Sequence, residues 1–326
     1  MSGSATGSAT FSVRVARKAT EATDICTFEL VQINGAALPA FSAGSHIDVH
    51  LSGGITRQYS LCNDPAESHR YLIGVLRDPK SRGGSQAMHD LVNVGDTLQI
   101  SAPKNHFPLA HDAKRSLLLA GGIGVTPILC MAERLAIAGS DFEMHYCSRS
   151  QDRTAFVSRI QASGFSSRVQ FHFDDGDAAQ KLDMAVLLAA PQVGTHLYVC
   201  GPKGFMDAAL GVARAAGWPA SQLHYEFFAA EVEKSDTDAG FEVKLASSGR
   251  IIQIAKDQTV TQALAAAGVE VQTACEQGVC GTCLTRVLEG VPDHKDQYLT
   301  PDEQAANDQF TPCCSRSKTS MLVLDL

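Results

Sequence analysis

The 326-residue sequence contains no apolar run near the roughly 18 to 20 residues that a membrane-spanning helix requires, so no membrane association is expected. An excess of cations is also missing. Lys and Arg number 27 against 35 Asp and Glu, a formal net charge of −8, and nothing forms the basic patch that nucleic-acid binding demands. The opening MSGSATGSAT lacks the basic start and apolar stretch of a signal peptide. Residues 1–10 are therefore expected to be a disordered tail, and the protein to be cytoplasmic. The G-x-G-x-x-G fingerprint of ordinary dehydrogenases is not found where it would matter, no internal repeat is visible, and the 11 histidines have no ligand-like spacing. His106 and His111, like the others, read as surface or core residues.

Against these absences stand 10 cysteines, five of which (Cys275, Cys280, Cys283, Cys313 and Cys314) cluster near the C-terminus. In a reducing compartment such clustering points to metal rather than to disulfides. CEQGVCGTC arranges Cys275, Cys280 and Cys283 as C-x4-C-x2-C, and Cys313 follows further along the chain in TPCCS. This is the plant-type spacing for four thiolates around a [2Fe-2S] cluster. Gly278 and Gly281 suit a loop wrapped tightly on such a cluster, because glycine adopts positive φ readily. The plainer alternative, a structural zinc site, favours two C-x2-C arms, and only one is present. Adjacent extended residues cannot both point at one iron, so either Cys313 or Cys314 supplies the last thiolate.

Three rhythms divide the chain. Up to about residue 111, short alternating or apolar runs (Phe11 to Lys18, Asp24 to Val31, His46 to Leu51, Tyr71 to Arg77, Asp96 to Ser101) are separated by Gly, Asn, Pro and Asp, which predicts an antiparallel β-barrel over residues 11–111. Residues 112–228 alternate apolar strands with helical stretches, including a helix around Thr154 to Ser163 and another near Lys181 to Ala190, and predict an α/β domain with a parallel sheet. AAEVEKSDTDAG, residues 229–240, has almost nothing to bury and reads as a linker. Residues 241–326 form a third, α+β segment that carries the five clustered cysteines; linker and segment together, from residue 229 onward, have fifteen Asp or Glu against eight Lys or Arg and so hold nearly all of the net negative charge.

Within the second segment, GGIGVTPI (Gly121 to Ile128) follows the strand SLLLA and opens a helix, the context of a pyrophosphate-binding turn. Close backbone approach explains Gly122 and its neighbours; Thr126 can bond phosphate or cap the helix. CGPKGFM (Cys200 to Met206) repeats the strand-loop-helix arrangement, placing a second glycine loop at a strand's carboxyl end, where ligands bind in such sheets. Cys200 there is either close to a bound nicotinamide or a small buried core residue. In the first segment, Arg57 in RQYSL offers a fork for phosphate, Tyr59 a ring and hydroxyl for a planar cofactor, and RGGS supplies Gly83, Gly84 and Ser85 as donors at a helix start.

RQYSL, RGGS, GGIGVTPI, CSRSQDRTAF, DDGD, CGPKGFM, HYEFF, CEQGVCGTC and PCCSRSK, in this order, resemble the phthalate dioxygenase reductase family of ferredoxin-NADP reductase-like flavoproteins. The resemblance runs from about Phe11 to Leu326. It implies an FMN-binding barrel, a Rossmann-like NADH domain, and a β-grasp ferredoxin domain that passes electrons to a Rieske-type oxygenase or demethylase. By the same resemblance Arg57, Tyr59 and Ser60 bind the flavin, with Gly83, Gly84 and Ser85 at its phosphate. Phe228 lies against the isoalloxazine ring and yields to nicotinamide, and Glu226 gives polar support. Gly122, Thr126, Cys200, Gly201, Pro202 and Met206 frame the nicotinamide nucleotide. Arg149 and Asp175 hold the adenosine ribose; Asp175 repels a 2'-phosphate and Arg149 attracts one, with NADH favoured. Cys275, Cys280, Cys283 and Cys313 become the cluster ligands. Tyr59, Phe228 and Cys200 sit nearest the chemistry.

A chain of three redox groups follows from electron counting. NADH gives two electrons at once and the cluster takes one, so a flavin must stand between them. No acid-base triad is then required. The acidic last segment either steers the cluster toward a basic patch on the oxygenase or is simply solvated. The protein is expected to act as a monomer. Two other readings remain: a reductase for a different acceptor such as a cytochrome P450, or a redox-sensing module that binds NAD and a cluster.

Overall fold

The computed structural model describes residues 10–79, 81–228 and 239–326. The expected tail and most of the expected linker lie outside these residues, although Thr10 already belongs to the first strand. By compactness the chain forms two units, residues 1–226 and 227–326.

The first unit begins with β1 (Thr10–Ala22), β2 (Ile25–Gln32), β3 (Ser45–Leu51), β4 (Ile55–Ser60), β5 (Tyr71–Leu76), the short helix α1 (Gly84–Asp90), β6 (Thr97–Ser101) and β7 (Lys104–Asn105). Every pairing is antiparallel, in the order β4-β3-β6-β1-β2-β5, with β7 beside β3. A bridge from Leu61 to Ile73 links the two ends of this order and closes the barrel. Alternation sends Val13, Val15, Phe28, Leu30, Ile47, Val49 and Ile73 into one core, while their sequence neighbours face outward.

The same unit continues with β8 (Arg115–Gly121), α2 (Val125–Ile137), β9 (Asp141–Ser148), α3 (Val157–Gln161), β10 (Val169–Phe173), α4 (Met184–Leu187), β11 (Thr195–Cys200), α5 (Lys203–Ala215) and β12 (Leu223–Glu226). The strands are parallel in the order β10-β9-β8-β11-β12. β11 is buried at every position and β8 at all but its first, as expected of central strands covered on both faces. Helices α3 and α4 are shorter than the sequence suggests. The Thr154 hydroxyl donates to Ser150 O at 2.8 Å, and Phe156 takes left-handed backbone angles, so helical geometry starts only at Val157.

The barrel and the parallel sheet share one core. Ile25, Ala43, Cys62 and Phe107 of the barrel cluster with Leu118, Val125, Ile128 and Phe156. A Cβ on Gly74 of β5 would touch the Thr126 methyl group and the Phe156 ring, at 3.0 and 3.2 Å. Across the same seam, Phe156 N donates to Glu21 Oε1 at 2.9 Å and Arg153 pairs with Asp24 at 2.9 Å. The seam explains why the two sheets form one compact unit, although their sequence rhythms differ.

The second unit contains β13 (Phe241–Leu245), β14 (Ile251–Ile254), α6 (Val260–Ala266), β15 (Thr285–Glu289), β16 (Pro292–Asp293), α7 (Pro301–Ala306), β17 (Gln309–Phe310), β18 (Arg316–Ser317) and β19 (Met321–Leu324). Its mixed sheet runs β14-β13-β19-β15-β17, with β13 and β19 parallel, and α6 packs Val260, Ala263 and Leu264 into the core. This is the expected α+β, β-grasp arrangement. Thr259 caps α6 in a reciprocal capping box with Gln262, worth about 1 kcal/mol. The buried guanidinium of Arg316 donates to the carbonyls of Gln258, Ala239 and Ala255 and lies 5.3 Å from the Phe241 ring centroid. One cation thereby ties the backbone before β13 to the loop that follows β14.

Candidate functional site

The parallel order places the carboxyl ends of all five strands on one edge, and the chain reverses direction of growth between β8 and β11. Such a switch point leaves a crevice for a nucleotide. Both glycine loops lie there, back to back. A Cβ on Gly124 would overlap the Cys200 carbonyl, and one on Gly201 would lie 2.9 Å from Gly121 Cα. Gly122, Gly201 and Pro202 remain accessible beside them. Arg149 and Asp175 follow β9 and β10; both are exposed, and Asp175 N donates to Arg149 O at 3.2 Å. The structure thus brings the two glycine loops against each other, and Arg149 against Asp175.

Thr126 and Met206 do not join that open rim. Thr126 is 1% exposed and its hydroxyl donates to Ile123 O at 3.0 Å. Of the two roles considered for it, the bond made is local to the helix start, and the methyl group fills the seam under Gly74. Met206 is fully buried in the core face of α5. Cys200 is fully buried as well; burial, reinforced by nearby Glu226, holds its thiol well above the ordinary range.

On the barrel side, Arg57 and Tyr59 are two residues apart on β4 and so share a face. The Arg57 guanidinium donates to the carbonyls of Thr56 and Arg82 at 2.7 and 3.0 Å. Gly84 fits only because it lacks a side chain, since its Cβ would stand 2.6 Å from Arg57 Nε. Gly83 caps α1, and the Ser85 hydroxyl accepts from Asp78 N at 3.2 Å. Burial pushes the Tyr59 hydroxyl upward, partly opposed by Arg57. Ser60 faces the other way and donates to Glu226 Oε2 at 3.4 Å. Burial raises the Glu226 carboxyl to about 7, opposed by this Ser60 bond. His46, across from Ser60 in the β3–β4 register, brings Nδ1 within 4.0 Å of Glu226 Oε1. Sequence reasoning missed His46, because no local spacing marks a contact between residues so distant along the chain. Phe228 belongs to the second unit and is 37% exposed.

In the second unit the cysteine segment closes on itself. Cys275, Cys280, Cys283 and Cys313 are all buried. Cys275 hydrogen-bonds Cys280 and Cys313, and Cys313 reaches Cys283 and Cys314. The mutual approach of these four thiols suits the four-thiolate set of a binuclear iron-sulfur centre. Gly278 and Gly281 have φ of 72° and 68°, and a Cβ on them would overlap Cys314 Sγ and the Tyr298 ring. Cys314 contacts the Thr311 and Ser315 hydroxyls at 3.2 and 3.8 Å. Thiol chemistry, burial and a glycine cradle all fit a [2Fe-2S] cluster.

A flavin-type barrel fused to a nucleotide-binding parallel sheet, followed by a cysteine-loop β-grasp unit, defines an electron-transfer oxidoreductase. The family model described as a 2Fe-2S iron-sulfur cluster binding domain matches residues 243–318, and that of the N-terminal domain of dimethylamine monooxygenase subunit DmmA-like proteins matches residues 101–223. The chain is 56% identical over 305 residues to a vanillate O-demethylase oxidoreductase of Pseudomonas sp. strain HR199, covering 94% of this chain and 96% of that one. A solved phthalate dioxygenase reductase, described as a modular structure for electron transfer from pyridine nucleotides to [2Fe-2S], superimposes with a TM-score of 0.76 and 37% identity. That match covers 97% of this chain and 98% of the other. An intact type IV self-sufficient cytochrome P450 monooxygenase aligns with a TM-score of 0.84 and 41% identity over 97% of this chain, which spans only 41% of that larger protein. The chain belongs to the phthalate dioxygenase reductase family. No helix among the described residues is long and apolar enough to cross a membrane.

Proposed function

We propose that this protein is the NADH-dependent reductase of a two-component Rieske-type oxygenase, and that its partner demethylates a methoxylated aromatic acid of the vanillate class. The observation that carries the reading is the convergence, in one chain, of a nucleotide crevice beside Ser60 and Glu226 with a buried four-thiol loop. The substrate class follows from the 56% identity to a vanillate O-demethylase oxidoreductase over nearly the whole chain.

Residues 11–111 are assigned to FMN, 112–228 to NADH and 241–326 to the cluster. Arg57, Tyr59, Ser60, Gly83, Gly84 and Ser85 would hold the flavin, with Phe228 over its ring. Gly122, Arg149, Asp175, Gly201 and Pro202 would hold NADH, and exposed Asp175 would disfavour the 2'-phosphate of NADPH by charge repulsion. Cys275, Cys280, Cys283 and Cys313 would ligate the cluster. When bound, a flavin converts the two-electron chemistry of NADH into single-electron delivery to the iron centre. The protein's own work is to position the groups, exclude water and tune their surroundings, which requires no catalytic triad. The reductase is taken to be a cytoplasmic monomer.

Anaerobic titration of the purified protein tests this function. NADH should bleach flavin and cluster absorption in sequence, NADPH should act much more weakly, and the released flavin should be FMN. Absence of either chromophore would refute the reading. A second reading, a cytochrome P450 as acceptor, is favoured by the match to the self-sufficient P450. It would prevail if the reductase supported a P450 but not a Rieske demethylase.

A further inference from the structure

The turn after β10 carries three exposed aspartates, Asp174, Asp175 and Asp177, and repulsion among like charges so close together would by itself splay it. The turn is clasped instead. β10 is an edge strand of the parallel sheet. Asp174 N donates inward to Ser148 O at 3.0 Å, so the N–H and C=O of the preceding Phe173 face the open edge. The Gln180 side chain takes the place of a pairing strand there: its Oε1 accepts from Phe173 N at 2.8 Å and its Nε2 donates to Phe173 O at 2.6 Å. A side-chain amide has the donor and the acceptor of a peptide group and pairs as one. Gly176 makes room for it, since a Cβ there would stand 2.5 Å from Gln180 Nε2. The Gln180 backbone is fixed as well. Its N–H donates to Asp177 O at 3.1 Å, and its carbonyl accepts from His172 Nδ1 at 2.6 Å. His172 Nε2 in turn meets Nδ1 of the buried His145 on β9 at 3.0 Å. The turn from Asp174 to Gln180 is thereby closed into a ring on β10 and rooted in the neighbouring strand.

We propose that Gln180 determines the preference for NADH over NADPH, by holding Asp175 where its carboxylate accepts from the adenosine ribose hydroxyls and repels a 2'-phosphate. The inference rests on the reductase reading above and on its assignment of Asp175 to that ribose. With both amide atoms engaged by Phe173, Gln180 is a positioning residue and acts through Asp175. Discrimination by one exposed carboxylate depends on such a clasp. Repulsion weakens with distance and is screened over about 8 to 10 Å in ordinary salt, so a carboxylate on a swinging loop penalises an added phosphate far less than one held beside it. The same fixing favours NADH, because a hydrogen-bond acceptor already in place need not be ordered when the nucleotide binds.

The test compares NADH and NADPH as donors to the full-length holoprotein, with ferricyanide as acceptor. Gln180→Met keeps the length of the side chain and removes both of its bonds. It should raise KM for NADH about fivefold, the worth of one neutral hydrogen bond, with kcat held. The NADPH-to-NADH ratio of kcat/KM should rise by a similar factor, whereas a merely structural defect would weaken both nucleotides alike. Gly176→Ala, whose methyl group displaces the Gln180 amide, should move the ratio in the same direction and keeps the proposal testable if Gln180→Met does not fold. In an Asp175→Ala background Gln180→Met should add nothing to the ratio, because the two act as one unit. Calorimetry reads the same site without turnover: Gln180→Met should narrow the affinity gap between adenosine 5'-monophosphate and adenosine 2',5'-bisphosphate. An unchanged ratio in both single variants, or an undiminished shift in the Asp175→Ala background, overturns the role of Gln180 while the reductase reading stands. A wild-type protein that binds no flavin, or is not bleached by NADH, overturns the reductase reading and this inference with it.

Discussion

Replacing Gly124 by alanine probes the feature on which the nucleotide crevice depends, the contact between the two glycine loops. Gly124 has ordinary right-handed backbone angles, with φ of −60°, so the perturbation is steric and not conformational. The added Cβ would overlap the Cys200 carbonyl and stand 2.6 Å from Gly201 N, both backbone atoms, where ordinary contact begins at 3.4 Å. One loop must therefore retreat by more than 1 Å to restore ordinary contact, and neither neighbour is a flexible side chain that can turn aside. Overpacking of this kind costs about 1 to 3 kcal/mol, which lowers Tm by about 2 to 10 °C for a unit of this size. Because the displaced backbone frames the crevice, kcat/KM for NADH should fall by about tenfold or more, in keeping with the cost of ångström-scale misplacement. Thermal unfolding and steady-state ferricyanide reduction measure the two effects. Gly211→Ala on α5, where a Cβ meets nothing within 4 Å, is the control and should leave Tm unchanged or raise it. If Gly124→Ala matched the wild type in both Tm and kcat/KM, the loops would not be in the contact described.

The thiol geometry predicts that Cys313→Ser abolishes the iron-sulfur absorption and bound iron, whereas Cys314→Ser retains about two irons per chain; iron and sulfide analysis distinguishes them, and the opposite pattern would reassign the fourth ligand. Asp175→Ala should raise the kcat/KM ratio of NADPH to NADH by about tenfold through loss of charge repulsion, and an unchanged ratio would remove Asp175 from the ribose site. For Glu226, the folded value of about 7 exceeds the ordinary 4.5, so the folded chain keeps a proton that the unfolded chain has already lost. Its contribution to stability is full below about pH 4.5 and disappears as pH rises through 7, a change of at most about 3 kcal/mol. Glu226→Gln mimics the protonated form. Its stability advantage over wild type should therefore be small at pH 5 and widest at pH 8, and a pH-independent difference in Tm would refute the burial of this carboxyl.

Much of this protein is determined locally and is therefore readable without coordinates. The C-x4-C-x2-C loop with Gly278 and Gly281 is a short-range constraint, because a few consecutive residues must wrap one centre. The Thr259 and Thr300 caps with Gln262 and Glu303 complete their hydrogen bonds within one helical turn. Apolar runs such as SLLLA and THLYVC mark central parallel strands because burial on both faces leaves no position for a polar residue. Where local preference competed with tertiary demand, the sequence was less informative: α3 begins late because Phe156 is drawn into the seam against β5, and Thr126, polar by type, fills that same seam. The division into compact units likewise depends on the surface buried between barrel and parallel sheet, which a change in sequence rhythm does not reveal. The contacts of His46 with Glu226 and His106 lie furthest from the sequence. They join β3, the end of β12 and the segment after β7, and so long-range a pairing exists only when the closed barrel and the five-stranded sheet are packed together. The residue types and their local turns set which cofactors this chain can hold; the packing of one sheet on another decided which carboxyl is shielded, which thiol is sealed away and which imidazole stands beside them, because burial and distance are properties of the assembled core.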